Sequence, residues 1–281
     1  MNNLKQIFQK LGISDDLQKL IFGDIKVPIL VEYRSIYQYW HPHPPCLIPM
    51  FLDNGEAYQG ILHHFFCNRK TTFVKWSFET DYFSEIARNE NQLFTIMVLN
   101  MIINDEGITK RIIDFCKSIN FEKYPEIDEY ALNHGDNLDN PTDLIYYNEH
   151  TPFIYIKDYK VYDGDFPSSL TTINPKEIFN SSSYELPERR LESNEIDEIS
   201  EWLKNDTDKK NLFDQFVDNN QLKEAWFTLN SKDWYLKDVA NALESLKEKT
   251  SDTLFHLVAN NWLERWNEAK DNNQTNDSEK Y

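Results

Sequence analysis

The chain has 281 residues, with 29 lysines and arginines against 47 aspartates and glutamates, a formal net charge of −18. That charge excludes wrapping of nucleic acid and adhesion to an anionic membrane, both of which need a cationic face, and no apolar run approaches the roughly 18 residues a membrane span needs. Hydrophobic residues at 40% and aromatics at 14% exclude a disordered chain, while three cysteines (Cys46, Cys67, Cys116) and a start without a secretory apolar core point to a reducing, cytoplasmic setting.

Leu4, Ile7, Phe8 and Leu11 fall at i, i+3, i+4 and i+7, which predicts an amino-terminal helix with one apolar face. Ser14 followed by Asp15 and Asp16 is the start signal of a second short helix, since the hydroxyl caps open amides and early acids suit the positive dipole end. Gly23 ends it. The period then changes to that of strands. Pro28 to Tyr33 is short, apolar and β-branched, and a corner, His41-Pro42-His43-Pro44-Pro45, excludes both helix and central strand. Leu47–Leu52, Tyr58–Phe66 and Thr71–Phe78 read as a three-strand antiparallel meander, its first turn made by Asp53-Asn54-Gly55. Thr80-Asp81 is read as the cap of a long helix from about Tyr82 to Ile103, followed by a shorter one over about 105–119.

Residues 121–169 break the pattern, with eleven carboxylates against three lysines. Phe153–Ile156 and Tyr159–Tyr162 are expected to pair as a small hairpin, and 164–187 to form a loop. Helical periodicity returns near 193–204, 209–219, 221–231, 234–247 and 251–268, before a polar tail expected to fray. The fold class is therefore α+β: an antiparallel β-meander packed with helices, followed by an all-helical carboxy-terminal region. The division expected is an α+β domain over 1–187 carrying the acidic segment 121–169, a helical domain over 188–270, and a polar tail over 271–281.

Two sets of residues carry candidate chemistry. His41, His43, Cys46, His63, His64 and Cys67 gather four of seven histidines and two of three cysteines, the residue types that ligate zinc. Their spacing matches no zinc finger, and adjacent strand residues point to opposite faces. His63, His64 and Cys67 are accordingly minor metal candidates, the route to a metal-dependent hydrolase, and no cofactor is expected. The second set is the acidic segment. Clustered carboxylates interleaved with tyrosines steer a cationic partner and supply rigid anchors. Asp136, Asp139, Asp143, Tyr146, Tyr147, Glu149, Asp158, Tyr159, Asp163 and Asp165 are the expected contacts for a basic protein. The nucleophile, phosphate-loop and zinc-protease motifs are missing from the sequence, which points away from an enzyme. A scaffold built on the carboxy-terminal helices is the remaining alternative.

The order LIPMFLDNGEAYQGILHHFF, TTFVKWSF and DYFSEIARNENQLF, over roughly residues 47–104, resembles the SMI1/KNR4-like (SUKH) proteins. There a proline-containing strand, an Asp/Asn-Gly turn and a meander lead into an aromatic-bearing helix. The resemblance implies an α+β fold without enzymatic activity. It further implies a bacterial immunity protein that neutralises a toxin by occlusion, and it transfers no site residue.

Overall fold

The amphipathic start folds as its spacing predicts. In the computed structural model, α1 (Asn2–Lys10) buries Leu4, Ile7 and Phe8, and α2 (Asp15–Ile21) begins where Ser14 Oγ accepts the Leu17 amide at 3.2 Å. The structure describes residues 2–28, 33–36, 40–79, 83–135, 141–156, 161–166, 200–204 and 206–281. Most of the strand expected over 28–33, the bulk of the loop over 164–187 and the start of the helix over 193–204 lie outside them.

A five-stranded antiparallel sheet follows in simple chain order: β1 (Arg34–Ser35), β2 (Leu47–Asp53), β3 (Ala57–Leu62), β4 (Thr72–Ser77) and β5 (Phe83–Ala87). The β2–β3 turn forms at Asp53-Asn54-Gly55, where Asn54 and Gly55 take φ of 46° and 82° and the Glu56 amide bonds Asp53 O at 2.9 Å. Every residue of β2 and β3 is buried, so both faces of the sheet's centre are covered. Gly60, opposite Pro49, is required there. A Cβ on it would stand 2.6 Å from Ile48 O.

Thr80, Asp81 and Tyr82, the expected cap and start of a long helix, lie outside the described residues, and the segment that follows them is split. Phe83, Glu85 and Ala87 alternate inward as strand β5 on β4, and α3 (Glu90–Asp105) starts only after Asn89 caps the Gln92 amide at 3.0 Å. Glu106 turns left-handed at the far end of α3, φ 56°, where the Gly107 amide closes on Ile102 O. Helices α4 (Lys110–Ser118) and α5 (Tyr124–His134) both pack on α3. The second of these lies inside the acidic segment and was hidden by its charge. The hairpin expected beyond it is also corrected: Phe153–Tyr155 forms a single 3-10 turn against β5, with residues 157–160 outside the described set.

Four helices complete the chain: α6 (Lys209–Asp218), α7 (Leu222–Leu229), α8 (Leu236–Lys249) and α9 (Thr253–Asp271). They share one hydrophobic core with the meander. Asn230 at the end of α7 accepts the Cys46 amide at 2.7 Å, Trp262 Nε1 donates to His43 O at 3.0 Å, and α9 lies along α1. The rings of Trp226, Phe65 and Phe255 meet edge to face across this junction. The polar end does not fray as expected. Tyr281 is buried, its hydroxyl donates to Leu229 O at 2.7 Å, and the Leu236 amide donates to Glu279 O at 2.9 Å. No helix among the described residues is long and apolar enough to cross a membrane.

Candidate functional site

The histidines and cysteines of the meander do not converge. His41 stacks on Phe78 with ring centroids 4.0 Å apart, and His43 Nδ1 bonds His41 O at 2.8 Å. His63 Nδ1 meets Thr71 Oγ1 at 2.9 Å, while on the opposite side of the chain His64 Nδ1 accepts Trp226 Nε1 at 3.2 Å and stacks on Phe227. Burial pushes both His43 and His63 down to about 4, so these rings are neutral packing elements at neutral pH. Burial likewise raises the Cys116 thiol to about 12, which removes it as a nucleophile. Among the described residues no three His, Cys, Asp or Glu side chains stand close enough to hold a metal ion, and the grouping of His63, His64 and Cys67 is not formed.

The acidic segment divides into two parts with different uses. Its later part is bound to the chain itself. Asp163 forms an ion pair with Arg88 and accepts from His150 Nδ1 at 2.7 Å, and Arg88 holds the Asp163 carboxyl below the usual range. Asp165 accepts the Lys70 amide at 3.0 Å through its carboxylate and the Arg69 Nε–H at 2.9 Å through its carbonyl. Beneath them lies Glu85, a residue with no sequence signal of its own. It is almost wholly buried on β5 and accepts from Thr72 Oγ1 at 2.7 Å, the Phe153 amide at 2.9 Å and the Tyr162 hydroxyl at 2.9 Å. Burial raises the Glu85 carboxyl, against the pull of those donors and of Arg88. The Arg88 guanidinium lies 5.2 Å over the Tyr162 ring. This arrangement is a latch that fastens residues 150–156 and 161–166 to the sheet. Asp163 and Asp165 belong to that latch, and both stay exposed.

Tyr147 is corrected as a partner contact. Its ring is fully buried and its hydroxyl donates to Gln92 O at 3.1 Å, so it is a core residue. Tyr146 is half-buried against Phe121, and its carbonyl accepts from Gln92 Nε2 at 2.8 Å. Asp136, Asp139, Asp158 and Tyr159 lie outside the described residues.

The earlier part keeps its charge toward solvent. Pro125 at the first turn and Tyr124 set the start of α5, which buries Ile127 and Tyr130 and turns Glu126 and Glu129 outward. The next described run opens with a 3-10 turn at Pro141–Asp143. Between the two runs lies an open groove of about 460 Å³, lined by Glu126, Glu129, Tyr130, His134, Asp143 and neighbouring polar residues. Tyr130 and His134 stack at 4.6 Å along one wall, and His134 Nε2 stands 3.8 Å from the Asp143 carboxylate. Lys123 occupies Glu126 at 2.7 Å and holds its carboxyl low. Glu129 and Glu149 remain exposed with no ion pair to a described base, and Leu132 on the outer side of α5 is 80% exposed. The groove therefore offers the carboxylates of Glu129 and Asp143 beside an aromatic wall, with Leu144 and Ile145 in its lining. Glu126, Glu129 and Leu132 were missed because the acidic run obscured the i, i+3 spacing of Ile127 and Tyr130. Compared with protein-family models, with curated proteins and with solved structures, the chain matches none.

Proposed function

We propose that the chain is a non-enzymatic, cytoplasmic binding protein that takes a basic protein partner on the groove between α5 and residues 141–149. Occlusion of a toxin by an immunity protein is the activity this fits. The observation that carries it is the groove lined by Glu126, Glu129 and Asp143 beside the Tyr130–His134 wall, with Glu149 and Leu132 exposed outside its lining. Exposed carboxylates of one sign accelerate encounter with a cation, while a rigid aromatic and an exposed leucine supply contact area after desolvation. The un-converged histidines and the missing nucleophile motifs support binding over catalysis.

The test is affinity capture from host lysate by the full chain and by a charge-reversed variant, Glu129→Lys/Asp143→Lys/Glu149→Lys. All three side chains are exposed, so the variant is expected to fold. The wild-type chain should retain a basic protein whose association slows as salt rises, and the variant should lose it. Equal retention of that protein by both chains overturns the proposal.

A further inference from the structure

Where α9 lies along α1, the two helices and residues 40–49 do not close completely. They leave a cavity of about 230 Å³ whose walls include the rings of Trp40, His43, Tyr58 and Trp262. These rings are mutually braced: Trp40 meets Trp262 edge-on at 5.8 Å, and His43 meets Tyr58 edge-on at 5.5 Å. A cavity bounded by braced aromatics does not collapse freely, and a void of about 150 Å³ already admits benzene. The extra volume here suits a second ring or a substituent.

Two polar atoms in this wall lack partners. Trp40 is 6% exposed and its Nε1–H is buried with no acceptor. His43 is 4% exposed. Its Nδ1 faces the carbonyl oxygen of His41, which only accepts, so the proton sits on Nδ1 and Nε2 presents a lone pair. No described residue donates to that Nε2. A buried donor left without an acceptor is costly unless a third group supplies one, and a hydroxyl is the simplest group that can accept there and at once donate to the lone pair of the His43 ring, 5.7 Å away between centroids. The charged residues around the cavity argue for a neutral occupant. Arg265 is already held by Ile36 O at 3.0 Å and by Glu268 at 3.3 Å, and Glu264 by Asn3 at 2.9 Å, so neither a free cation nor a free anion awaits a counter-charge.

We propose that this cavity binds a small neutral hydroxyaromatic molecule of one or two rings, whose hydroxyl accepts from Trp40 Nε1 and donates to His43 Nε2. None of the cavity's lining residues belongs to the acidic groove, so the site is independent of the partner-binding proposal.

The experiment is calorimetric titration of the full chain with 2-naphthol, with naphthalene and 2-naphthoate as matched probes, repeated on Trp40→Phe. 2-Naphthol should saturate at one site per chain, and naphthalene and naphthoate should bind at least about tenfold more weakly, as one hydrogen bond to a buried group implies. Trp40→Phe keeps an aromatic wall and removes the donor. It should bring 2-naphthol down to the affinity of naphthalene while leaving naphthalene nearly unchanged. No saturable binding of 2-naphthol, or equal binding of 2-naphthol and naphthalene by the wild-type chain, overturns the proposal without reliance on any variant. Equal weakening of both probes in a Trp40→Phe chain that melts as the wild type does overturns the hydroxyl assignment.

Discussion

His43 and His63 are folded in as neutral rings, and burial is the main reason their pKa values stand at about 4 instead of the usual 6.5. Between those two values an unfolded chain takes up protons that the folded chain refuses. Stability is therefore full above pH 6.5 and falls as pH drops toward 4, by an amount on the order of 3 kcal/mol for each ring. Glu85 acts with the opposite sign, because its raised carboxyl pKa favours the folded state as pH falls. Asp105, drawn down to about 2 by its bond to Arg111, loses its contribution only below the histidine window. Urea unfolding at pH 7 and at pH 4.5 checks the expectation, and an unchanged midpoint would refute it. In the sequence these histidines suggest a metal because the residue types are right. Only the fold reveals that the His41 carbonyl and the Thr71 hydroxyl are the groups they face.

The latch on β5 shows the same logic at the level of an element. Residues 150–156 and 161–166 contain the 3-10 turn at Phe153–Tyr155 but no strand. What fixes them to the sheet is one buried carboxylate that receives the Phe153 amide and the Tyr162 hydroxyl. Tyr162→Phe removes the donor shared by both Glu85 oxygens and the acceptor of the Phe166 amide. It is expected to lower stability by about 1.5–3 kcal/mol, the range for a hydrogen bond to a charged group. Hydrogen exchange should show residues 161–166 opening before the rest, and unchanged protection there would count against the latch. Around β5 the sequence carried two messages. Phe83, Ile86 and Ala87 sit at i, i+3 and i+4 and so satisfy helical spacing, yet Phe83 and Ala87 also alternate with Glu85 as a strand requires. Pairing with β4 decides between them. The true helix start was legible, since Asn89 to Gln92 is a capping pair in which Asn89 takes the Gln92 amide and Gln92 Oε1 takes the Arg88 amide. The meander was legible in outline because its turn residues, Asn54 and Gly55, are those that tolerate positive φ.

Across the whole molecule, the carboxy-terminal helices and the meander are stitched by side chains whose partners lie far away in sequence. A reading that follows local periodicity sees two regions, because periodicity says nothing about which faces meet. One continuous core implies that the regions unfold together. Tryptophan fluorescence, which reports the junction through Trp226 and Trp262, and far-UV circular dichroism should therefore give coincident urea transitions. Two separated transitions would mean that the junction is not structural. The net charge of −18 is also resolved by place. Part of it closes the latch, and the portion around α5 is left to solvent.

The seam between α1 and α9 also dictates when the molecule is finished. Asn3 of α1 holds Glu264 of α9, 261 positions later. At about 5–20 residues per second on the ribosome, the side of α1 that faces α9 waits about 13 to 52 s for its partner to be made. Through that interval α1 keeps an unfilled apolar side, which a chaperone or an intermolecular contact can occupy. Helix α1 is thus secured on this side only long after its own synthesis.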